Sequence, residues 1–422
     1  MLPFFLVKPI TEYAEARRRD KAQSSRKQRR KTARPFLETL ESRVVPTSVA
    51  PGNYSGTISS NTEFDQGYTL KDSRPSKKMG LVLRRIECKA TAEAFSVRPS
   101  FVLPYMTGQT DEVEKALFLR SFGVPFWALA RTFGRDPMYW YRIEVSLGRN
   151  CIVGTTVRQA EVPEHLLADE HHQTLDGDKV YVATTVAEGC CLGASLSQIA
   201  DEKGLTEAYG VFEAEALNVN PDYQPKTVNT DGWAATRCAW KTLFEMIVVM
   251  RCYLHAWLNI RKRGKHLEDV FWSLSKKVWH AYHALDRRSF AQRLRRIREW
   301  SKEHVKAAHV LEQVQKLCKR AGEYGKAYWH PGSHRTSNML DRVMRSMNRY
   351  FEDSQHLHGS HQACERHCRA WALLYNFRPW HPATTRANDG YESPAERLNK
   401  HRYHDNWLDN LLVSASLAGY RR

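Results

Sequence analysis

The sequence predicts an α/β fold in which a mixed sheet carries a helical insertion and is preceded by a small all-α segment. Three observations lead there. Residues 160–254 alternate short apolar runs with helical stretches in the order β-β-β-α-β-α-β, residues 111–149 hold three short helices and no strand, and residues 256–330 hold long charged amphipathic helices.

The all-α segment comes first. Asp111 to Arg120 is a helix with acids in its first turn, Gly123-Val-Pro breaks it, and Phe126 to Thr132 forms a second. Phe133-Gly-Arg-Asp136 is a turn, after which Asp136 caps a third helix with Pro137 at its first position, running to about Leu147. Helices of this size and order predict a helix-turn-helix DNA-binding domain over 111–150. Its third helix is the expected recognition element, and Arg131, Arg135, Tyr139, Tyr141, Arg142 and Arg149 are the expected DNA contacts.

In the sheet region, Glu164-His-Leu-Leu-Ala-Asp169 is a short apolar strand ending on an acid. Asp176-Gly177 turns it into a second strand over Lys179 to Val186, and Cys190 to Leu196 is the third. Leu205 to Leu217 has helical composition and places Leu205, Tyr209, Phe212 and Ala216 near one face. A fourth strand ends at Asp231, Ala234 to Phe244 is a helix, and Met246 to Leu254 is a buried strand rich in β-branched residues. The insertion then carries helices over Trp272 to Leu285, Phe290 to Trp300 and Val305 to Lys319, with Trp272, Trp279 and Trp300 expected in its core and its Lys and Arg fitting DNA contacts.

This strand and helix order is the one expected of a ribonuclease H-like fold, in which acids on the first and fourth strands lie side by side. Paired carboxylates repel, and a divalent cation relieves the repulsion while holding phosphate oxygens. The chain resembles DDE-type transposases, specifically bacterial insertion-sequence transposases and the related Mutator-like group. The resemblance rests on Leu-Leu-Ala-Asp169-Glu, Val-Asn-Thr-Asp231-Gly-Trp, Arg251-Cys-Tyr-Leu-His255 and Arg335-Thr-Ser-Asn-Met-Leu-Asp341-Arg, and covers roughly residues 100–385. It implies Asp169, Asp231 and Asp341 as catalytic and metal-binding residues for two Mg²⁺ or Mn²⁺ ions, with Cys252 and His255 as accessory residues in a Cys-x-x-His spacing. The family's third acid is usually Glu; Asp341 is one methylene shorter, and Glu352, Asp353 and Glu365 are the fallbacks. Asn229 and Glu170 are placed to tune the metal's immediate surroundings. The implied activity is metal-dependent cleavage at transposon ends and strand transfer into target DNA, by a homo-oligomer that is at least a dimer.

Composition agrees with a polyanionic partner: net charge is +18 with a sequence pI near 9.5, and 42% hydrophobic with 11% aromatic residues supports a sizeable core. The basic excess clusters at Arg17 to Arg19, Arg26 to Lys31, Arg261 to Lys265 and Arg287 to Arg298. The most apolar window, Met246 to Ile260, is too short to span a membrane, and the nine cysteines lack a tight secreted framework, so a cytoplasmic, nucleoid-associated setting is expected. His356, His358, His361, Cys364, His367 and Cys368 form a cluster in which His361, Cys364 and Cys368 share a helical face compatible with zinc.

The expected organisation is a basic, disordered leader over 1–79, a degenerate zinc-ribbon-like segment over 80–110 with the single Cys88, the helix-turn-helix, a catalytic domain over 160–385 with its insertion at about 258–330, and a tail over 386–422. The leader segment Ala33 to Pro46 resembles the start of large exported bacterial proteins, which fits a fused reading frame with a composition break near residue 80. Two other readings stay open: an inactivated or repurposed transposase acting as a sequence-specific DNA-binding protein, and a structure-specific nuclease of the same fold.

Overall fold

The structure is a computed structural model that describes residues 67–76, 81–90, 92, 94–97, 103, 110–352 and 357–417. Most of the leader, including its basic runs, and Asp353 and His356 lie outside the described residues. The described chain divides into two compact units, one of Met1–Thr110 with Trp380–Tyr391, the other of Asp111–Pro379 with Glu392–Arg422.

The first unit holds a three-stranded antiparallel sheet of β1 (Tyr68–Ser76), β2 (Leu81–Cys88) and β3 (Ala94–Val97) in that order. β1 corrects the expectation of disorder up to residue 79. Its polar sequence gives no apolar alternation to read, and its order comes from β2: Lys71 pairs with Glu87 at 2.5 Å and Arg85 with Asp72 at 2.8 Å. Pro75 is tolerated because β1 is an edge strand.

In the second unit, α1 (Thr110–Arg120), α2 (Phe126–Phe133) and α3 (Pro137–Leu147) follow the expected bounds closely. The backbone N–H of Met138 donates to Asp136 Oδ1 at 2.8 Å, and Pro137 occupies the first turn, where its missing N–H costs nothing. A short helix, α4 (Ile152–Thr156), leads into β4 (His165–Leu175), β5 (Asp178–Ala187) and β6 (Cys190–Ser197). Then come α5 (Glu202–Val219), β7 (Thr227–Thr230), α6 (Ala234–Leu243) and β8 (Val248–Arg251). The sheet is mixed, in the order β6-β5-β4-β7-β8; β4, β5 and β6 are antiparallel neighbours, while β7 and β8 run parallel to β4 and to each other.

Leu205, Tyr209, Phe212 and Ala216 of α5 are buried, as their spacing requires, against Leu166, Ala168 and Val228 of the sheet and Trp240 of α6. β4 does not stop at Asp169. It continues through polar His171 and Gln173, which are buried because His171 Nε2 bonds Asn348 Oδ1 at 2.5 Å and Gln173 bonds His171 at 3.2 Å. An apolar run therefore understates the strand. The fifth strand is shorter than expected, since Cys252 ends the ladder and begins the next helix.

The insertion has its own apolar core. It is built by α7 (Tyr253–Gly264), α8 (Glu268–Tyr282), α9 (Arg287–His304), α10 (Ala308–Lys319) and α11 (Ala321–Gly325), around Tyr253, Ile260, Phe271, Leu274, Phe290 and Leu294. Trp279 and Trp300 pack against it; Trp272 is 52% exposed and is not core. The chain returns to the sheet through α12 (Asn338–Glu352) and α13 (His361–Phe377). α14 (Pro382–Ala387) belongs to the first unit, and α15 (Pro394–Asn399) and α16 (Trp407–Leu417) belong to the second. The expected tail is thus largely helical, and Leu408 and Leu411 of α16 are fully buried. Among the described residues no helix is long and apolar enough to cross a membrane.

Candidate active site

The parallel register of β4 and β7 brings two acids together. Leu167 is opposite Asn229, so Asp169 and Asp231, each two residues further on, leave the paired segment side by side and on the same face. Neighbouring strands lie about 4.8 Å apart. Asp231 sits just past β7, where Gly232 adopts φ +96° and the N–H of Trp233 donates to Asp231 Oδ1 at 2.7 Å. That turn also starts α6, so one carboxylate both shapes the turn and faces its neighbour.

Burial, followed by the charge of Asp231, pushes the Asp169 carboxyl up to about 6, and Asp341 adds to the same effect. All three acids therefore act in one electrostatic field. The N–H of Glu170 partly offsets this by donating to Asp169 Oδ1 at 3.0 Å. Asp341 stands in the first turn of α12, its N–H donating to Ser337 O at 2.8 Å.

What holds α12 there is a set of bonds to the ends of β7 and β8. Asn229 Nδ2 donates to His334 O at 2.8 Å, and the N–H of Tyr253 donates to Arg335 O at 3.0 Å. Cys252 is fully buried; its Sγ accepts from the N–H of Ser337 at 3.2 Å and donates to Ser337 Oγ at 3.4 Å, while its own N–H donates to Thr230 O at 2.8 Å. Cys252 thus ties the exit of the Asp231 strand to the lead-in of the Asp341 helix. Interaction with Cys252 raises the His255 imidazole to about 9 against the effect of burial, and Asp169 and Asp231 add to the rise. Cys252, Asp169 and Asp231 thus all favour the protonated form of His255.

Glu170 does not stand at the acids in the way expected. Asn229 gives its Nδ2 to His334 O, while its Oδ1 is buried with no hydrogen-bond partner among the described residues. Glu170 follows Asp169 on an extended strand and so points to the opposite face, where its Oε1 accepts from Tyr209 Oη at 2.8 Å and Thr236 Oγ1 at 2.7 Å. Burial pushes Glu170 up to about 7 in spite of both bonds. Sequence adjacency concealed this role; strand alternation was the signal that could have found it. Of the fallback acids, Glu365 accepts from Leu196 N–H at 3.2 Å beside β6, and Glu352 ends α12 about 16 Å along the helix from Asp341.

Among the described residues no group of three or more His, Cys, Asp or Glu side chains is drawn close enough to hold a metal ion. The three aspartates share a field without closing a ligand shell. Their donor chemistry, carboxylate oxygens in mutual repulsion, is that of a hard divalent cation. The His361, Cys364 and Cys368 face is spent differently: Cys364 Sγ donates to His358 O at 3.4 Å, Cys368 is fully buried, and burial raises its thiol well above the ordinary range.

Arg131, Arg135, Arg142 and Arg149 are exposed. Tyr139 is half-buried with Arg135 over its ring at 5.5 Å, and Tyr141 packs between Phe126 and His367, so the two tyrosines serve packing. The helices α1 and α3 are fastened to α12 and α13 by a buried network: Arg120 Nε to Glu144 Oε2 at 2.9 Å, His367 Nε2 to Glu144 Oε1 at 2.9 Å, and Tyr350 Oη to His367 Nε2 at 3.1 Å.

Compared with protein-family models and with curated proteins, the chain matches none.

Proposed function

We propose that this chain is a DDE/D-type DNA transposase with a ribonuclease H-like catalytic fold, in which Asp169, Asp231 and Asp341 hold divalent metal. The observation that carries the reading is the meeting of Asp169 and Asp231 across a parallel strand pair, with Asp341 brought into their field from a helix distant in sequence. The strand order supports the fold: a three-stranded antiparallel meander followed by two parallel strands, with the acids on the central strand and at the exit of its parallel neighbour. The helices α1 to α3, with four exposed arginines, fit a helix-turn-helix that reads the element's ends.

Bound Mg²⁺ or Mn²⁺ would supply activation of a water or 3′-hydroxyl and stabilisation of the leaving oxygen. The protein's part is to hold the oxygens in place. Asn229, Cys252 and Ser337 set where Asp341 stands; Glu170, Tyr209 and Thr236 brace the Asp169 strand against the helix that follows Asp231. His255 offers a positive charge beside the acids, suited to a phosphate oxygen. Synapsis of two ends requires a homo-oligomer.

The test is incubation of purified protein with labelled DNA from the gene's own flanks and Mg²⁺ or Mn²⁺, beside Asp231→Ala. Metal-dependent nicking at a reproducible position, lost in the variant, is expected. Sequence-specific binding with no cutting by either protein would replace this reading with that of a DNA-binding regulator.

A further inference from the structure

Gly232, the residue after Asp231, holds φ at +96°, a conformation open to glycine because glycine has the greatest backbone freedom. The turn closes on itself with two bonds: the N–H of Trp233 donates to Asp231 Oδ1 at 2.7 Å, and the N–H of Gly232 donates to Thr230 Oγ1 at 3.2 Å. The space that a side chain would fill at Gly232 is taken by the guanidinium of Arg251, the last residue of β8. A Cβ built on Gly232 would stand 2.5 Å from Arg251 Cζ and 2.9 Å from Nη2, closer than such atoms approach. The parallel register sets up this contact, since Arg251 pairs with Thr230, the residue before Asp231.

Arg251 is held in that place from another element. Its side chain is 14% exposed, and its Nε donates to Glu323 Oε2 at 2.8 Å; among the described residues this is the side chain's only hydrogen bond. Glu323 belongs to α11 of the helical insertion, and its neighbour Tyr324 is buried with its ring 5.4 Å from that of Tyr253. Glu323 therefore stands on an anchored element although its own carboxylate is partly open to water. Arg397 covers Gly189 in a similar way, but there the guanidinium donates to Glu188 O and closes the turn that it covers. The Arg251 side chain makes no bond to the Asp231 turn. It bears on the turn by shape, and Glu323 sets its plane.

We infer that Arg251 is a positioning residue for Asp231, and that the helical insertion, which supplies none of the three aspartates, governs metal affinity through the Glu323–Arg251 pair. The guanidinium is planar and rigid, so one bond at Nε orients the face laid against Gly232. With that face in place the turn cannot swing toward β8, and the Asp231 carboxylate keeps its station beside Asp169. Without it the glycine regains its freedom and the carboxylate shifts. Residues that orient a metal's ligands are worth about 10- to 100-fold in affinity. Lys cannot replace Arg251, since it offers a point charge and no plane. The inference deepens the transposase reading and rests on it for the metal, but not for the restraint on the turn.

The test compares full-length wild type with Arg251→Met, Arg251→Lys, Glu323→Ala, Glu323→Gln and the double variant Arg251→Met/Glu323→Ala. Each is titrated calorimetrically with Mn²⁺, and amide hydrogen exchange over residues 230–235 is followed without metal. Ile297→Val, which trims one methyl group from the insertion's core, is the control for general loosening and should leave both readouts as they are. Arg251→Met and Arg251→Lys should each weaken Mn²⁺ binding about tenfold and speed exchange in the segment, and Glu323→Ala should weaken binding several-fold. The double variant should bind no more weakly than Arg251→Met alone, because both substitutions break one linkage. Glu323→Gln, which keeps an acceptor for Nε, should restore most of the affinity. Glu323 is partly exposed, so its variants carry the test should Arg251→Met not fold. Wild-type affinity and exchange in folded Arg251→Met or Glu323→Ala, or a loss in the double variant equal to the product of the single losses, would overturn the proposal. A wild type that takes up no Mn²⁺ would sink the metal reading, and exchange would then decide the restraint alone: faster in both single variants keeps it, unchanged removes it.

Discussion

Asp169 has its carboxyl lifted to about 6 by burial and by Asp231, while Glu170 beside it is lifted to about 7 by burial. A carboxyl raised in the folded state binds protons that the unfolded chain has already released. Its contribution to stability is therefore full below the ordinary carboxylate range and is lost as pH rises through 6 to 7. Comparing urea unfolding of wild type and Asp169→Asn without metal, the variant should gain on wild type steadily between pH 4 and 6 and level off above. Mg²⁺ should remove most of that gain; a pH-independent difference would mean that Asp169 is not strained by its neighbours. Thr236 gives a second prediction at this scale. Thr236→Val deletes one bond to buried Glu170 and should cost about 1 to 2 kcal/mol. It should also weaken Mn²⁺ binding at least several-fold, because the brace between the Asp169 strand and α6 is loosened. Unaltered Mn²⁺ affinity in a measurably destabilised protein would restrict Glu170 to packing.

At the scale of elements, Arg120 and Glu144 couple the first helices to the rest of the unit. Burial alone would raise the Glu144 carboxyl, but Arg120 and His367 hold it below its ordinary range. Both Arg120 and Glu144 are shielded from solvent, and the guanidinium of Arg120 also lies 4.3 Å from the Tyr350 ring centre on α12. Removing one partner leaves a buried charge uncompensated, so Arg120→Met should cost about 3 to 5 kcal/mol in chemical unfolding. A loss below about 1 kcal/mol would show that water reaches Glu144 freely. Much of this scale was legible in the sequence. The Asp136-Pro137 cap, the face of Leu205, Tyr209, Phe212 and Ala216, and the hairpin at Asp176-Gly177 all rest on residues close in the chain. The full length of β4 and the order in β1 were not legible, since both depend on distant partners: Asn348 for His171, Glu87 for Lys71. The same holds for the site. Asp169 and Asp231 stood out as acids at strand ends and Asp341 only through the resemblance, while the bonds of Cys252, Asn229 and Glu170 became visible only with Ser337, His334, Tyr209 and Thr236 placed beside them.

For the whole molecule, a net charge of +18 agrees with the polyanionic partner proposed above. The proposed function requires that Asp169, Asp231 and Asp341 act together as one divalent-cation site although distant in sequence. Calorimetric titration of purified full-length protein with Mn²⁺, repeated for Asp169→Asn, Asp231→Asn and Asp341→Asn, tests it without knowledge of any DNA substrate. Saturable binding to the wild type is expected, with at least a tenfold loss of affinity in each variant and secondary structure unchanged. Binding that any one of the three substitutions leaves intact would remove that residue from the site, and a wild type that takes up no Mn²⁺ would contradict the claim.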